Sequence, residues 1–211
     1  MFSGMSQSDQ QVNAYQLRIV LRWTSPHIWR RVVVRSDSTL GHLHQIVQAL
    51  FGWADLHPHR FVLRGRSLGA APTACGSSWP ASEVLLSEFQ LLAKERFFYD
   101  YGFDHVNVPV WRHDIRFEAA LVAERERLPY CIGGVGSPPL EQTGSPQELS
   151  NLADLFTPQF VLNQLTELVD RGASDAQLAQ QMRHLRPWLT AGRFSQRSAN
   201  RRLLASLGGA E

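Results

Sequence analysis

A chain of 211 residues with 44% hydrophobic and 19% charged side chains can bury one sizeable core, which excludes a wholly disordered protein. The net charge of +2 hides an asymmetry: residues 1–175 hold 15 basic against 18 acidic side chains, while residues 176–210 hold six arginines and no acid. Two cysteines, Cys75 and Cys131, are too few for a disulfide framework; no apolar run approaches the roughly 18 residues of a membrane span, and the opening MFSGMSQSDQQ lacks the regions of a signal peptide, so a cytoplasmic chain with reduced thiols and no membrane contact is expected.

After a disordered polar leader over residues 1–13, Tyr15, Leu17, Ile19, Leu21 and Trp23 alternate with polar residues, the period of a half-buried strand. Thr24-Ser25-Pro26-His27 reads as a turn and Ile28 to Val34 as a second strand, together an antiparallel hairpin. Ser36 to Thr39 supply N-cap chemistry for a helix with Leu40, Leu43, Val47, Leu50 and Phe51 at helical spacing, His44 on the same face, and Gly52 as C-cap. Strand, strand, helix, strand is how a β-grasp-like α+β domain begins. The expected architecture is a mixed sheet crossed by a helix over residues 14–145, followed by a helical extension over 146–211 packed on it.

Residues 65–82 read as a loop covering a sheet edge, anchored by Trp79; Glu83 to Leu92 read as a short helix or docking segment, and Arg96 to Tyr101 as a strand. The connection Gly102 to Val110 takes no firm assignment. Trp111, His113, Ile115 and Phe117 share one strand face and Arg112, Asp114, Arg116 and Glu118 the other, with Ala119 to Arg127 continuing the strand or starting a helix. Pro129 to Pro146 reads as a Gly/Pro-rich loop with Cys131 in it. Thr157 and Pro158 open a helix that ends at Gly172, Ser174 opens another in which Pro187 is a kink or a stop, and Ser195 to Leu207 form a short Arg-rich helix.

Ile28-Trp29-Arg30-Arg31, Leu43-His44, Phe51-Gly52-Trp53, His57 and His59 before Phe61, Tyr99-Asp100-Tyr101, Trp111 with His113, and Cys131-Ile132-Gly133-Gly134 followed by Pro138-Pro139 together resemble the Ri-plasmid open-reading-frame-three-like family of plasmid- and mobile-element-associated proteins. The resemblance spans roughly residues 14–204, and implies the α+β fold without an established activity. Some members carry the label TnpR resolvase. The residues do not support that chemistry: no early nucleophilic serine stands beside an arginine cluster, and His57-Pro58-His59-Arg60 lies only 30 residues after Arg30 in a small sheet domain.

His57 and His59, at i and i+2, form a candidate pair for zinc or another transition metal, with Cys131, His105 or His44 as further ligands; the alternative is a structural role around Trp53. His44 and His113 read as core histidines, and their convergence with His59 in a cleft would point to chemistry. Trp29 and Trp53 read as core anchors, Trp111 as an inward strand residue, and Asp100 as an orienter of an arginine such as Arg30. Cys131 has no paired base and is not expected to be a nucleophile. Arg183, Arg186, Arg193, Arg197, Arg201 and Arg202 are the candidate nucleic-acid contacts. The expectation is therefore a non-catalytic protein contacting DNA or a nucleoprotein partner through its tail. The alternatives are a metal-dependent hydrolase using His57 and His59, or a protein-binding adaptor.

Overall fold

Thr39 accepts the His42 N–H at 3.1 Å and Gly52 closes the same helix in the left-handed conformation, so the first helix starts and stops where its capping residues dictate. The computed structural model describes residues 11–69, 83–103, 109–141, 143–189 and 193–207. In chain order these form β1 (Gln11–Leu21), β2 (Ile28–Arg35), α1 (Leu40–Phe51), β3 (His59–Leu63), β4 (Arg66–Gly69), β5 (Arg96–Phe103), β6 (Pro109–Glu124), β7 (Tyr130–Val135), α2 (Pro146–Leu155), α3 (Pro158–Asp170), α4 (Asp175–Leu189) and α5 (Gln196–Leu207). The fold is α+β, as expected. Leader residues 1–10, Trp79, Cys75, Asp104 and His105 lie outside the described residues.

The strands make one seven-stranded sheet in the order β4-β3-β5-β6-β1-β2-β7. Every pairing in it is antiparallel, where a mixed sheet was expected. Three of the six pairings, β1–β2, β3–β4 and β5–β6, join strands that follow one another in the chain with no helix between them, and such neighbours pair antiparallel. Helix α1 lies across one face: Leu43, Val47, Leu50 and Phe51 join Leu17, Ile19, Phe61, Phe97, Trp111 and Ile115 in a single buried cluster. Each such side chain contributes about 1.5–3 kcal/mol by leaving water.

Two edge strands stand where loops were expected. Arg64 and Gly65 both take positive φ, and the pairing Leu63 with Arg66 shows a two-residue hairpin that turns β3 into β4. At the other edge, β7 pairs with β2 through Gly133 and Gly134. A Cβ on Gly134 would meet the Trp29 carbonyl at 2.8 Å and the Phe194 ring at 3.0 Å, so this glycine permits close approach within a strand rather than a turn. Helix α2, opened by Ser145, was also not anticipated.

Helix α5 docks on α1 and β7 through buried Ala199 and Leu203. Asn200 accepts the Cys131 N–H at 2.6 Å and donates to the Cys131 carbonyl at 3.0 Å, so its amide acts as one rung of an additional strand and blunts the β7 edge. Arg202 donates to the Ala49 and Leu50 carbonyls at 2.6 and 3.0 Å, at the end of α1 where carbonyls run short of intrahelical donors. Arg30, almost fully buried, donates to the carbonyls of Trp29, Val135 and Gly136 at 2.7–2.8 Å and lies under the Phe51 and Phe194 rings. Burial pushes its pKa down to about 10.

Candidate functional site

On the helix-bearing side, three elements bring polar and ionisable groups together. Helix α1 supplies His44 and Gln48, the segment after Gly52 supplies Asp55, and β3 supplies His59. His44 Nε2 lies 3.1 Å from Asp55 Oδ2, and His44 Nδ1 lies 2.8 Å from the Tyr99 hydroxyl. Gln48 donates to that hydroxyl at 2.9 Å and accepts the Asp55 N–H at 3.2 Å, which closes a ring of four residues. The His59 ring stacks on His44 with centroids 3.6 Å apart and planes 8° from parallel.

Asp55 is held from behind. Glu141 accepts the Ala54 and Leu56 N–H groups at 2.6 and 2.9 Å as well as the Tyr101 hydroxyl, and Trp53 donates its indole N–H to the Pro139 carbonyl at 2.9 Å. Asp55 itself sits at φ 58°, a conformation that few non-glycine residues adopt. A groove of about 440 Å³ between α1 and α5 opens over His44, Gln48, Trp53, Asp55, Arg202 and Ser206.

Burial first, then the neighbouring His44, lowers the His59 pKa to about 4 against a weaker upward pull from Asp55. Its ring is neutral at pH 7, the form that ligates metals. Burial raises the Tyr99 hydroxyl well above its ordinary value, so it keeps its proton and is no nucleophile. For Glu141, burial acts upward, but the bonds from Tyr101, Leu56 and Ala54 outweigh it and keep the carboxyl below its usual range.

Two of the three histidines converge as the cleft reading required, and the third does not. His113 is wholly buried among Phe51, Trp53 and Tyr99, with ring centroids 4.7–5.4 Å away, and burial drives its pKa to about 3. His57 turns away from His59 to meet the edge of Tyr101, at 5.6 Å between centroids. The partners of His59 are therefore His44 and Asp55, not His57. Cys131 is buried under α5, where burial raises its thiol pKa.

The opposite face of the sheet carries arginine. Register places Arg31, Arg18, Arg116 and Arg96 directly opposite one another on β2, β1, β6 and β5. Like charges in cross-strand contact are unfavourable, so this rung needs neutralisation. Two carboxylates on the same face supply part of it: Glu118 holds Arg31 at 2.6 Å, and Asp114 faces Arg96 at 3.3 Å and Arg22, beside the rung, at 3.6 Å; farther along the strands buried Asp100 takes Arg112 and Arg60 at 2.6 and 3.0 Å. Asp100 thus orients Arg60 and Arg112 rather than Arg30, which points to the other side of the sheet.

Arg18 and Arg116, at the centre of the rung, make no contact ion pair among the described residues, and the Nε of each is buried without a hydrogen bond; Glu118, committed to Arg31, reaches Arg18 only through the longer-range attraction that helps to lower its own pKa. Trp29, expected in the core, stands half-buried on this face with the Arg18 and Arg31 guanidiniums 4.9 and 5.5 Å from its ring. The pair lines a groove of about 520 Å³ together with Arg22, His27, Arg96, Asp114 and Trp23, a residue 56% exposed.

The family model described as plasmid pRiA4b ORF-3-like protein matches residues 13–160. The chain belongs to the plasmid pRiA4b ORF-3-like family. A curated relative, uncharacterized protein y4hQ of Sinorhizobium fredii, is 31% identical over 133 residues; the match covers 62% of this chain and 66% of that protein's length. The crystal structure of MM3350, a protein of unknown function from Methanosarcina mazei Go1, superposes with a TM-score of 0.63 at 22% identity, covering 88% of this chain and 96% of the other, and shows the same fold. None of the three names carries an activity. Among the described residues no helix is long and apolar enough to cross a membrane.

Within this family fold the arginine tail divides. Arg183, Arg193, Arg197 and Arg201 are exposed, Arg202 is committed to the α1 carbonyls, and the Arg186 side chain lies outside the described residues. Arg197 and Arg201, four apart on α5, share one outward stripe. Sequence reading missed Asp55, Gln48 and Glu141 in the groove and the Arg18/Arg116 pair. Alternation did place Arg18 and Arg116 on polar strand faces, but the register that aligns them is set by residues about 100 positions apart.

Proposed function

We propose that this protein is a non-catalytic binding protein that contacts single-stranded nucleic acid through the open face of its sheet. The observation that carries the reading is the central Arg18/Arg116 pair, two cross-strand arginines in a rung of four that make no contact ion pair among the described residues. A phosphodiester supplies the missing negative charge and bidentate acceptors for guanidinium forks. The exposed Trp23 beside the groove offers a ring on which a base stacks, the combination of basic track and aromatic platform that single strands use. The tail stripe of Arg197 and Arg201 lies with α5 on the other side of the sheet, and contributes a longer-range attraction rather than the binding track.

Fluorescence anisotropy with labelled single-stranded DNA, single-stranded RNA and duplex DNA, at low and moderate salt, tests this. Binding is expected to be strongest for a single strand. It should weaken about tenfold or more in the Arg18→Ala/Arg116→Ala double variant, with the salt slope reduced by about 2, one per lost phosphate contact. Absence of binding at low salt, or equal binding by that variant, overturns the reading.

A further inference from the structure

We propose that His44, Asp55 and His59 form a site for a divalent transition metal of the zinc, cobalt or nickel class at the mouth of the groove between α1 and α5. Their ligand atoms all lie within 4.8 Å of one another. The separation of His44 Nε2 from Asp55 Oδ2, 3.1 Å, is close to the about 3.3 Å expected between two ligands bound tetrahedrally at zinc's usual bond lengths. Two imidazoles and one carboxylate suit these ions, and a set of three protein ligands leaves a position for water or for an atom of a molecule in the groove.

The hydrogen-bonded ring of His44, Tyr99, Gln48 and Asp55 accounts for those four residues without a metal. It does not account for His59. That imidazole is half-buried on β3, lies flat against His44, and makes no side-chain hydrogen bond among the described residues. A ligand role supplies the missing partner. Because stacked rings direct their lone pairs in parallel, binding needs His59 to pivot so that its nitrogen converges with His44 Nε2. Ligation also fixes the His44 tautomer, since the proton moves to Nδ1 and is donated to the Tyr99 oxygen, in the manner of outer-shell partners that orient metal-bound histidines. Glu141 holds the backbone on both sides of Asp55, so the carboxylate-bearing segment is already in place.

This site stands on the opposite side of the sheet from the arginine rung and is independent of the nucleic-acid reading. The test uses untagged protein stripped with a chelator, titrated with zinc by calorimetry and with cobalt by visible absorption. One equivalent is expected to bind, with the intense cobalt bands of a four-coordinate site, and zinc should raise the melting temperature. Asp55→Asn and His59→Gln, both at accessible positions, should each lower zinc affinity by tenfold or more, whereas His57→Ala should leave it unchanged. Perturbation of the His44 and His59 ring resonances by zinc in the unaltered protein gives a readout that needs no variant. Absence of stoichiometric binding, indifference to Asp55→Asn and His59→Gln, or equal loss with His57→Ala overturns the proposal.

Discussion

On the helix-covered face of the sheet, Tyr99 stands opposite His113 and Tyr101 opposite Trp111; one residue along the same strands, on the other face, Asp100 stands opposite Arg112 and Phe98 opposite Asp114. The first face removes its polar atoms from water, and with them the charge: His113 and His59 are held neutral by burial, and Tyr99 keeps its proton. The second keeps its charges and balances most of them with ion pairs between partly exposed arginines and largely buried carboxylates. A single backbone therefore hosts two electrostatic environments about one strand thickness apart, and the arginine left unbalanced is as informative on one side as the imidazole left unbonded is on the other.

Arg30 is the exception that tests this division, being a charged residue on the buried face. Its three carbonyl acceptors belong to β2 and to β7 and its following turn, so it ties the edge strand to the sheet. Arg30→Met keeps the apolar stem and leaves those acceptors without a donor, at about 1–3 kcal/mol each where they stay dry. Urea unfolding should show a loss of about 3–5 kcal/mol with little change in slope. A loss under about 1 kcal/mol would mean that water replaces the guanidinium and that this end of the buried face is not sealed.

A second difference between the faces appears with pH. An unfolded histidine takes up a proton near its ordinary value of about 6.5, whereas folded His113 does so only near 3. Between those values the unfolded chain binds more protons. The contribution of His113 is thus fully present above about pH 6.5 and is lost as pH falls toward 3, by up to about 1.4 kcal/mol per pH unit. His113→Leu should flatten the decline of unfolding free energy below pH 6.5 by close to one proton. An unchanged slope would show that the ring is hydrated in the folded state.

What the sequence disclosed and withheld follows the same physics. Helix α1 was legible because Thr39, Gly52 and the apolar repeat act within a dozen residues, and the inward set Trp111, His113, Ile115 and Phe117 because alternation is local. The edge strands β4 and β7 were not, since Gly134 answers to Trp29 and Phe194, residues distant in the chain, and reads locally as a turn. In the groove, His44 and His59 were visible as candidates, but the grouping was not: the i, i+2 spacing of His57 and His59 suggested a pair that the strand's approach to Tyr101 breaks up. Asp55 has no motif around it. Its place depends on Glu141, 86 residues later, through the flanking N–H groups.

The smallest expected effects separate the two sides of α5. Arg202, facing inward, makes two charge-assisted bonds to the end of α1, so Arg202→Ala should cost about 2 kcal/mol in thermal or urea unfolding. Arg197 and Arg201 face outward, and replacing both with alanine should change stability by no more than about 0.5 kcal/mol. In nucleic-acid binding the same pair should lower affinity less than Arg18→Ala/Arg116→Ala does, because solvated charges act through a screened field while the sheet pair makes direct contacts. A larger loss from the tail pair than from the sheet pair would move the interface to α5 and reduce the arginine rung to a structural feature, restoring the ranking that charge distribution along the chain alone suggests.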